Sequence, residues 1–379
     1  MGRIIMFITQ KKLLKDFQIQ RPRLILPILV VSVVVLLVIY TTQDISTLIY
    51  RNYEIKDRST AYNMGILLNK IFVEDVLLSS SKPPPGRTIF FHETTCYHPV
   101  TLFNVMNLTA RQACAIESAA SNNPNFQVFL LFACPTYRPL SGGQKLLIDA
   151  IESYKNVQFR QLNISNYARD TPIEDWIKKG DLLNSGFPMQ HTADLLRLIS
   201  LYRFGGIYLD MDVVVLRSLE NVPLNYVGAH DNITLGNAVI SLEPTGKGHE
   251  IAELFLRDYE TNYNGKAYVK NEPALVTRVV KNLCGNDLVK LMQEGRISCQ
   301  GLTVFNSTAF YPLGWPQWKH YTEPKYLEET MAITKDFYLI HLWNKASYKG
   351  LIKVGSSTAL GIYAENHCPR VYTAAGDYF

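Results

Sequence analysis

The sequence predicts an α/β domain, a Rossmann-like mixed sheet with flanking helices, behind an N-terminal membrane anchor. Two observations lead to this fold class. Strand-like and helix-like patterns alternate from residue 87 onwards, and an uncharged apolar run precedes them near the N-terminus. The chain has 379 residues, 47% of them hydrophobic, so it is long enough to bury a large core and is not disordered by composition.

Residues 24–40, LILPILVVSVVVLLVIY, are the predicted anchor. At about 1.5 Å per residue, this run as a helix spans roughly 25 Å of hydrocarbon. A cleaved signal peptide is the alternative, but the run is long for one and no small-residue cleavage site follows it. Residues 1–23 carry six Lys and Arg against Asp16 alone, which keeps them cytoplasmic and places the rest of the chain in the lumen. Because the basic charge is concentrated there, the net charge of +5 does not indicate nucleic-acid binding.

Four segments follow from this pattern: a tail at 1–23, the anchor at 24–40, a stem at 41–86 that ends in the stiff sequence SSSKPPPGR, and a globular domain at 87–379. Four N-x-S/T sequons agree with a lumenal domain; they begin at Asn107, Asn163, Asn232 and Asn306. All six cysteines follow the anchor, where disulfides are permitted. We expect a disulfide between Cys284 and Cys299, and the pairing of the other four cysteines stays open.

The globular domain begins with three predicted strands separated by helices. RTIFFHET, FQVFLLFACPT and VQFRQLNI have the composition of buried strands, whereas ARQACAIESAASNN and LLIDAIESY have helical periodicity. This alternation is typical of parallel strands with crossover helices. The chain contains no G-x-G-x-x-G or Walker A motif, so a bound nucleotide would need another device to hold its phosphates.

Two carboxylates interrupt an apolar strand pattern later in the domain. Residues 190–204 read as a helix that Gly205 and Gly206 end, and IYLDMDVVVL follows as a predicted strand. In a strand, Asp210 and Asp212 point to the same side, so they repel each other unless a positive charge lies between them. Mg²⁺ or Mn²⁺ is the natural candidate, because such ions bind one or two carboxylates and bridge them to substrate phosphates. A D-x-D in an ordinary solvated loop is the alternative.

The segment HTADLLRLISLYRFGGIYLDMDVVVLRSL resembles the D-x-D region of the α1,4-glycosyltransferase family. Further similar segments occur in the same order, so the resemblance covers roughly residues 87–370. They are RDTPIEDW, LGNAVISLE, PALVTRVV, FYPLGWPQWKHY and HLWNK. The resemblance implies a GT-A-like fold, a single-pass type II protein of the Golgi membrane, and Mn²⁺- or Mg²⁺-dependent transfer of a sugar from a UDP-sugar with retention of configuration. It also implies an acceptor such as lactosylceramide, a glycosphingolipid; the alternative is α1,4-N-acetylglucosaminyl transfer to glycoprotein glycans.

The resemblance also implies roles for individual residues. Asp210 and Asp212 match the metal-binding pair, and His341, after the predicted strand DFYLI, falls where a further ligand is expected; a buried core histidine is the alternative. Asp194 and Arg197 resemble the pair that contacts the donor, although an i, i+3 surface salt bridge would have the same spacing.

Three further positions are expected to contact the donor or the reacting centre. Lys345 is placed to neutralise the leaving UDP, and Trp343 to close over the donor unless it is a core residue. Asn237 or Glu272 is expected near the anomeric carbon. The chain has Gly-Asn-Ala at 236–238 where relatives have Asn-Gly-Ala, so the choice among UDP-Gal, UDP-GalNAc and UDP-GlcNAc stays open.

Two other functions are compatible with parts of the pattern. A haloacid-dehalogenase-type phosphohydrolase would use Asp210 and Asp212, but on the first strand of its core rather than after three strands. A non-catalytic, lectin-like membrane protein would not need Asp210, Asp212 and His341 together.

Overall fold

The computed structural model describes residues 72–95, 105–268, 270–271, 274–285, 288, 290 and 295–379. The predicted tail, the anchor at 24–40 and most of the stem lie outside these residues. Within the described part of the chain, no helix is both long and apolar enough to cross a bilayer.

Eight strands form a mixed central sheet, and two more form a small separate sheet. The strands are β1 (Thr88–Glu93), β2 (Gln127–Phe132), β3 (Val157–Gln161), β4 (Gly206–Leu209), β5 (Val213–Val215), β6 (Tyr226–Ala229), β7 (Leu235–Leu242), β8 (Ile297–Cys299), β9 (Leu302–Phe305) and β10 (Leu339–His341). The central order is β3-β2-β1-β4-β7-β6-β9-β8, and β10 pairs with β5. Strands β3, β2, β1 and β4 are parallel, whereas β7 runs antiparallel to β4. The predicted α/β class with its parallel first half is therefore confirmed.

Helices cover both faces of the central sheet. They are α1 (Ala110–Asn122), α2 (Gly142–Glu152), α3 (Ile164–Ala168), α4 (Glu174–Lys179), α5 (Pro188–Phe204), α6 (Gly246–Asn262), α7 (Ala274–Cys284), α8 (Lys319–Thr322), α9 (Leu327–Thr334), α10 (Asn344–Ser347), α11 (Ala359–His367) and α12 (Pro369–Ala374). Short 3₁₀ turns lie at Trp315–Gln317 and Pro324–Tyr326.

The first strands read as continuous apolar runs because both of their faces are buried. Along β1, Ile89 and Phe91 join the core beneath α1, and Phe90 joins the opposite core beneath α5. Thr109 begins α1 with a capping box, in which its hydroxyl accepts from the backbone of Gln112 and the Gln112 side chain accepts from the backbone of Thr109.

Residues before β1, which the sequence assigned to the stem, also pack on this unit. Val73 and Val76 are buried, and the Val76 N–H donates to the carbonyl of Gln161 at the end of β3 over 2.8 Å. The packed structure therefore includes residues from 72 onwards, ahead of Arg87.

Two glycines set the junction between α5 and β4. Gly205 and Gly206 both have positive φ, of 60° and 96°. A Cβ atom on Gly206 would lie 2.3 Å from the carbonyl oxygen of Thr88, and one on Gly205 would lie 2.4 Å from the nitrogen of Pro244. Glycine is therefore required at both positions for the helix to end and β4 to pair closely with β1.

The predicted strand at 207–216 is not continuous. It ends at Leu209, Asp210 to Asp212 form a turn, and β5 begins at Val213 in the second sheet. The chain leaves the central sheet here because β5 pairs with β10, while the Asp210 N–H still donates to the carbonyl of Ala238. The expectation that strand alternation alone aligns the two carboxylates is wrong; a turn between two sheets brings them together.

Disulfides join distant parts of the described domain. Cys284 bonds to Cys299, as predicted. Cys114, on α1, bonds to Cys368, which follows α11 and lies 254 residues away. Cys134 is also disulfide-bonded, and the described part of the chain contains no free cysteine.

Candidate active site

Asp210, Asp212 and His341 form a cluster at the junction of the two sheets. One potential ligand atom from each lies within 4.8 Å of the others. His341 reaches the turn because it ends β10, where it pairs with Val213. Its Nε2 lies 3.1 Å from Oδ1 of Asp212 and 3.9 Å from Oδ2 of Asp210. The histidine is buried, but it faces the carboxylates and is not simply part of an apolar core.

A second layer holds Asp210 in place. The Tyr208 hydroxyl donates to Oδ1 of Asp210 over 2.6 Å, and Nη1 of Arg197 donates to the same oxygen over 3.1 Å. Nη1 also donates to the carbonyl of Asn237, and Nη2 donates to Asp194 over 2.9 Å. The side chains of Arg197 and Asp194 are only 5% and 9% exposed. The pair is thus a buried support of the site and not a surface salt bridge.

Charge interactions shift the titration of these groups in opposite directions. Burial raises the pKa of Asp210, but Arg197, His341 and Tyr208 outweigh it and lower this pKa to about 2. Burial lowers the pKa of His341, yet Asp212 and Asp210 outweigh burial and raise it to about 9. Burial raises the pKa of Asp194, with partial compensation by Arg197. The Asp210 carboxylate is therefore ionised at neutral pH and needs positive charge beside it.

The cluster fits a divalent cation. Two carboxylates and one imidazole offer oxygen and nitrogen donors in one small volume, with Nε2 of His341 beside both carboxylates. A backbone group orients the second carboxylate, because the N–H of Asn344 donates to Oδ2 of Asp212 over 2.8 Å. Carboxylates are typical ligands of Mg²⁺ and Mn²⁺, and such ions keep positions open for phosphate oxygens.

The cluster lies in the wall of a cavity of about 650 Å³. All eight residues predicted for the site line it: Asp194, Arg197, Asp210, Asp212, Asn237, His341, Trp343 and Lys345. Glu272, the alternative to Asn237, lies outside the described residues. A cavity of this size is within the usual range for small-ligand sites.

Several lining residues were not predicted. They are Gln190, His230, Tyr268, Tyr311 and Trp315, whereas Gly236 belongs to the stretch 236–238 that was expected to face the donor sugar or the acceptor. Tyr311 and Trp315 belong to the aromatic segment FYPLGWPQWKHY, which was the available signal. The Tyr311 hydroxyl accepts from the N–H of Ala238 and lies directly against Gly236, where a Cβ atom would be 2.1 Å away from it.

Trp343 and Lys345 occupy defined positions in the cavity. Trp343 has a positive φ of 56°, and its indole N–H donates to the carbonyl of Leu313 over 2.9 Å. Its ring lies 4.1 Å from that of His341, so it forms a fixed wall. Nζ of Lys345 lies 3.0 Å from the centre of the Tyr268 ring, a cation–π contact at the edge of the cavity.

A smaller cavity of about 260 Å³ lies on the side of the turn nearer β1. It shares Arg197, Asp210 and Asp212 with the larger cavity and is lined further by His92 and Glu93 at the end of β1. His92 is buried, with Nε2 2.9 Å from the hydroxyl of Ser200, and burial together with the charge of Arg197 lowers its pKa to about 3. The two cavities therefore meet at the D-x-D turn.

Comparison of the chain with known proteins identifies the family to which it belongs. Residues 244–375 match the model of the alpha 1,4-glycosyltransferase conserved region, and residues 109–233 match that of the glycosyltransferase sugar-binding region containing the DXD motif. The chain is 30% identical to rat lactosylceramide 4-alpha-galactosyltransferase over 78% of its own length and 77% of the relative's. It is 29% identical to the human enzyme of that name, covering 86% and 87% of the two chains. Human alpha-1,4-N-acetylglucosaminyltransferase is 24% identical to the chain, and the match covers 69% of the chain and 74% of that enzyme. The chain therefore belongs to the α1,4-glycosyltransferase family and is a glycosyltransferase.

Proposed function

We propose that the chain is a metal-dependent, retaining α1,4-glycosyltransferase that moves galactose, or N-acetylgalactosamine, from a UDP-sugar to a terminal galactose of a glycosphingolipid such as lactosylceramide. The names of the rat and human relatives support this substrate class. The mixed α/β sheet agrees with the GT-A-like fold that the resemblance implies. We also propose a type II orientation with residues 24–40 as the anchor, on the charge asymmetry of the N-terminus, and a Golgi location, on the resemblance to the family.

The observation that carries the proposal is the position of the Asp210, Asp212 and His341 cluster in the wall of the larger cavity. These residues would hold Mn²⁺ or Mg²⁺. When bound, the cation stabilises the charge that grows on the diphosphate as the sugar departs. The imidazole ligand favours Mn²⁺ over Mg²⁺, because Mg²⁺ prefers oxygen donors throughout its coordination sphere.

The protein residues around the cluster supply the remaining roles. Arg197 keeps Asp210 ionised and fixes its orientation. Lys345, at the cavity edge, adds positive charge for the leaving UDP, and Asn237 offers its amide to the sugar. Trp343 limits the depth to which the sugar can enter.

A same-face transfer is the mechanism we favour for retention. Among the described residues lining the cavity, the carboxylates are Asp194, Asp210 and Asp212. Asp194 is paired with Arg197, and the other two belong to the cation site. None of the three is thus available as a nucleophile, so the departing phosphate would accept the proton of the acceptor hydroxyl.

α1,4-N-acetylglucosaminyl transfer to glycoprotein glycans is the second candidate. The human N-acetylglucosaminyltransferase relative favours it, although its identity to the chain is lower. The two candidates differ in the configuration of the donor sugar at C4, where galactose and N-acetylgalactosamine have an axial hydroxyl and N-acetylglucosamine an equatorial one, so donor preference separates them.

The test uses the full-length chain from a secretory host, in detergent with Mn²⁺. UDP release is measured from UDP-Gal, UDP-GalNAc and UDP-GlcNAc, with and without lactosylceramide, and the Asp212→Asn variant serves as the blank. We expect Mn²⁺-dependent release from UDP-Gal or UDP-GalNAc that lactosylceramide increases, with an α-linked product by NMR. Release only from UDP-GlcNAc would select the second candidate, and a β-linked product would contradict retention.

A further inference from the structure

Two loops meet at the mouth of the larger cavity, residues 313–318 and residues 343–351; we call them the mouth loops. The Trp343 indole N–H donates to the carbonyl of Leu313 over 2.9 Å. Gly350 packs directly on Trp318, since a Cβ atom there would lie 2.7 Å from the indole ring. The two loops therefore form one continuous surface beside the cavity.

The second mouth loop is held from inside by a buried guanidinium. Arg111, on α1, donates through Nη1 to the carbonyl and hydroxyl of Ser347, over 3.1 and 3.2 Å, and through Nη2 to the carbonyl of Gly350. Arg111 and Ser347 are buried, and the chain returns to the core at Ile352. Residues 348–351 are thus a fixed protrusion and not a free loop.

The side chains on this protrusion are large, apolar and exposed. Tyr348 is 60% exposed and Leu351 is 62% exposed. On the first mouth loop, Trp315 is 58% exposed although it also lines the cavity. Exposed aromatic and aliphatic groups gathered at one site indicate an interaction surface.

Lysines accompany these apolar groups. Nζ of Lys349 lies 5.5 Å from the centre of the Tyr348 ring, and Nζ of Lys319 lies 5.8 Å from that of Trp318. Lys345, on the second mouth loop, lines the cavity. No acidic residue occurs between Asp336 and Glu365 in the sequence, so the protrusion carries positive charge only.

We propose that the mouth loops contact the surface of a phospholipid bilayer while an acceptor sugar occupies the cavity. Trp and Tyr favour the membrane–water interface, where an apolar ring meets polar head groups, and Lys reaches lipid phosphates. This inference rests on the proposed glycosphingolipid acceptor. Because the ceramide of such an acceptor stays in the bilayer, the cavity mouth must come within a short glycan's length of the membrane.

The first test compares two acceptors for the full-length chain reconstituted in phosphatidylcholine vesicles: lactosylceramide in the same vesicles and a water-soluble lactoside. The variant Tyr348→Ser with Leu351→Ser changes two side chains that do not line the cavity. The control is Leu140→Ser, which removes a side chain of similar exposure, 73%, from the segment between β2 and α2.

We expect the double variant to raise the KM for lactosylceramide roughly tenfold, as two apolar contacts with lipid are lost. Its kinetics with the soluble lactoside should match those of the wild type, and the control should match the wild type with both acceptors. An equal loss with both acceptors, or no loss with lactosylceramide, would overturn the proposal. Wild-type inactivity with both acceptors would instead contradict the proposed function.

The second test does not depend on turnover. The chain has four tryptophans, and of these Trp176 is buried while Trp315 is exposed on a mouth loop. Phosphatidylcholine brominated near the head group should quench the wild-type fluorescence, and Trp315→Phe should reduce that quenching. Because Trp318 lies on the same loop, a variant with both Trp315→Phe and Trp318→Phe is measured as well. Quenching that is absent in the wild type, or that is unchanged in this double variant, would show that the mouth loops stay away from the bilayer and would favour a protein partner for this surface.

Discussion

The backbone N–H of Asn344 donates to Oδ2 of Asp212 over 2.8 Å, although 132 residues separate them. The N–H of Leu342 also donates to the backbone carbonyl of Asp212 over 2.8 Å. These bonds continue the pairing of β10 with β5, so the segment that supplies His341, Trp343 and Lys345 is fixed to the D-x-D turn. The geometry of the site therefore depends on the small second sheet.

Replacement of either D-x-D carboxylate should abolish turnover without unfolding the chain. Asp210→Asn and Asp212→Asn keep the shape of the side chain but remove its charge, and we expect a loss of activity of about 10²-fold or more. We expect Mn²⁺ to raise the unfolding temperature of the wild type but not of these variants, because each variant lacks one of the carboxylates that would bind the ion.

Asp149→Asn is the matched control for this pair. Asp149 makes an exposed ion pair with Lys145 on α2, so its loss should cost less than about 0.5 kcal/mol and leave activity unchanged. Near-normal turnover in Asp210→Asn or Asp212→Asn would refute the metal role of that residue.

Gly236→Ala should reduce both stability and activity. The added methyl group would lie 2.1 Å from the Tyr311 hydroxyl and 2.3 Å from its ring, so Tyr311 must move away from Ala238 and into the cavity. We expect a cost of about 1–3 kcal/mol in the free energy of unfolding. Gly143→Ala is the control, because among the described residues no atom from outside its own helical turn lies within 4 Å of a Cβ there, and alanine favours the helix. Equal unfolding midpoints in the two variants would contradict this packing argument.

Stability should fall with acid partly through His92. Its pKa is about 3 in the folded protein and about 6.5 when unfolded, so the unfolded chain binds a proton below pH 6.5 that the folded chain does not. Between these two pKa values the free energy of unfolding falls by up to about 1.4 kcal/mol for each unit by which the pH is lowered. Above pH 6.5 the contribution of His92 to stability is fully present.

His92→Gln should flatten the dependence of stability on pH, since the glutamine amide can replace the His92 hydrogen bond to Ser200 but does not titrate. Urea unfolding at intervals from pH 7.5 to 5 measures how stability depends on pH. The control is His320→Gln, which replaces a histidine that does not contact Ser200. If His92→Gln follows the same pH profile as the wild type, His92 is not the titrating group.

Loss of the Cys114–Cys368 disulfide should destabilise the domain more than loss of Cys284–Cys299. The first closes a loop of 254 residues and the second a loop of 15. A longer loop loses more entropy in the unfolded chain, and removal of a native disulfide typically costs about 2–5 kcal/mol. Thermal unfolding of the two double-alanine variants measures the order, and the reverse order would contradict the loop-entropy account.

Much of the fold follows from local patterns in the sequence. The three apolar runs became β1, β2 and β3 because both faces of a parallel sheet are buried, and the helix before Gly205 ended where glycine permits a positive φ. The Asp210 and Asp212 pair could also be recognised from the sequence, because two carboxylates within an apolar run require a compensating charge.

The contents of the site needed the tertiary structure. Local periodicity could not show that the strand breaks at Asp210, because β5 leaves the sheet only to pair with β10, more than 120 residues later. Tyr268 and Tyr311 enter the cavity through packing between distant segments, as does the support of the mouth loop by Arg111. Periodicity and charge along the chain specify which chemical groups are available. Which of these groups meet depends on the packing of the whole domain, because the contacts that form the site join segments far apart in the chain.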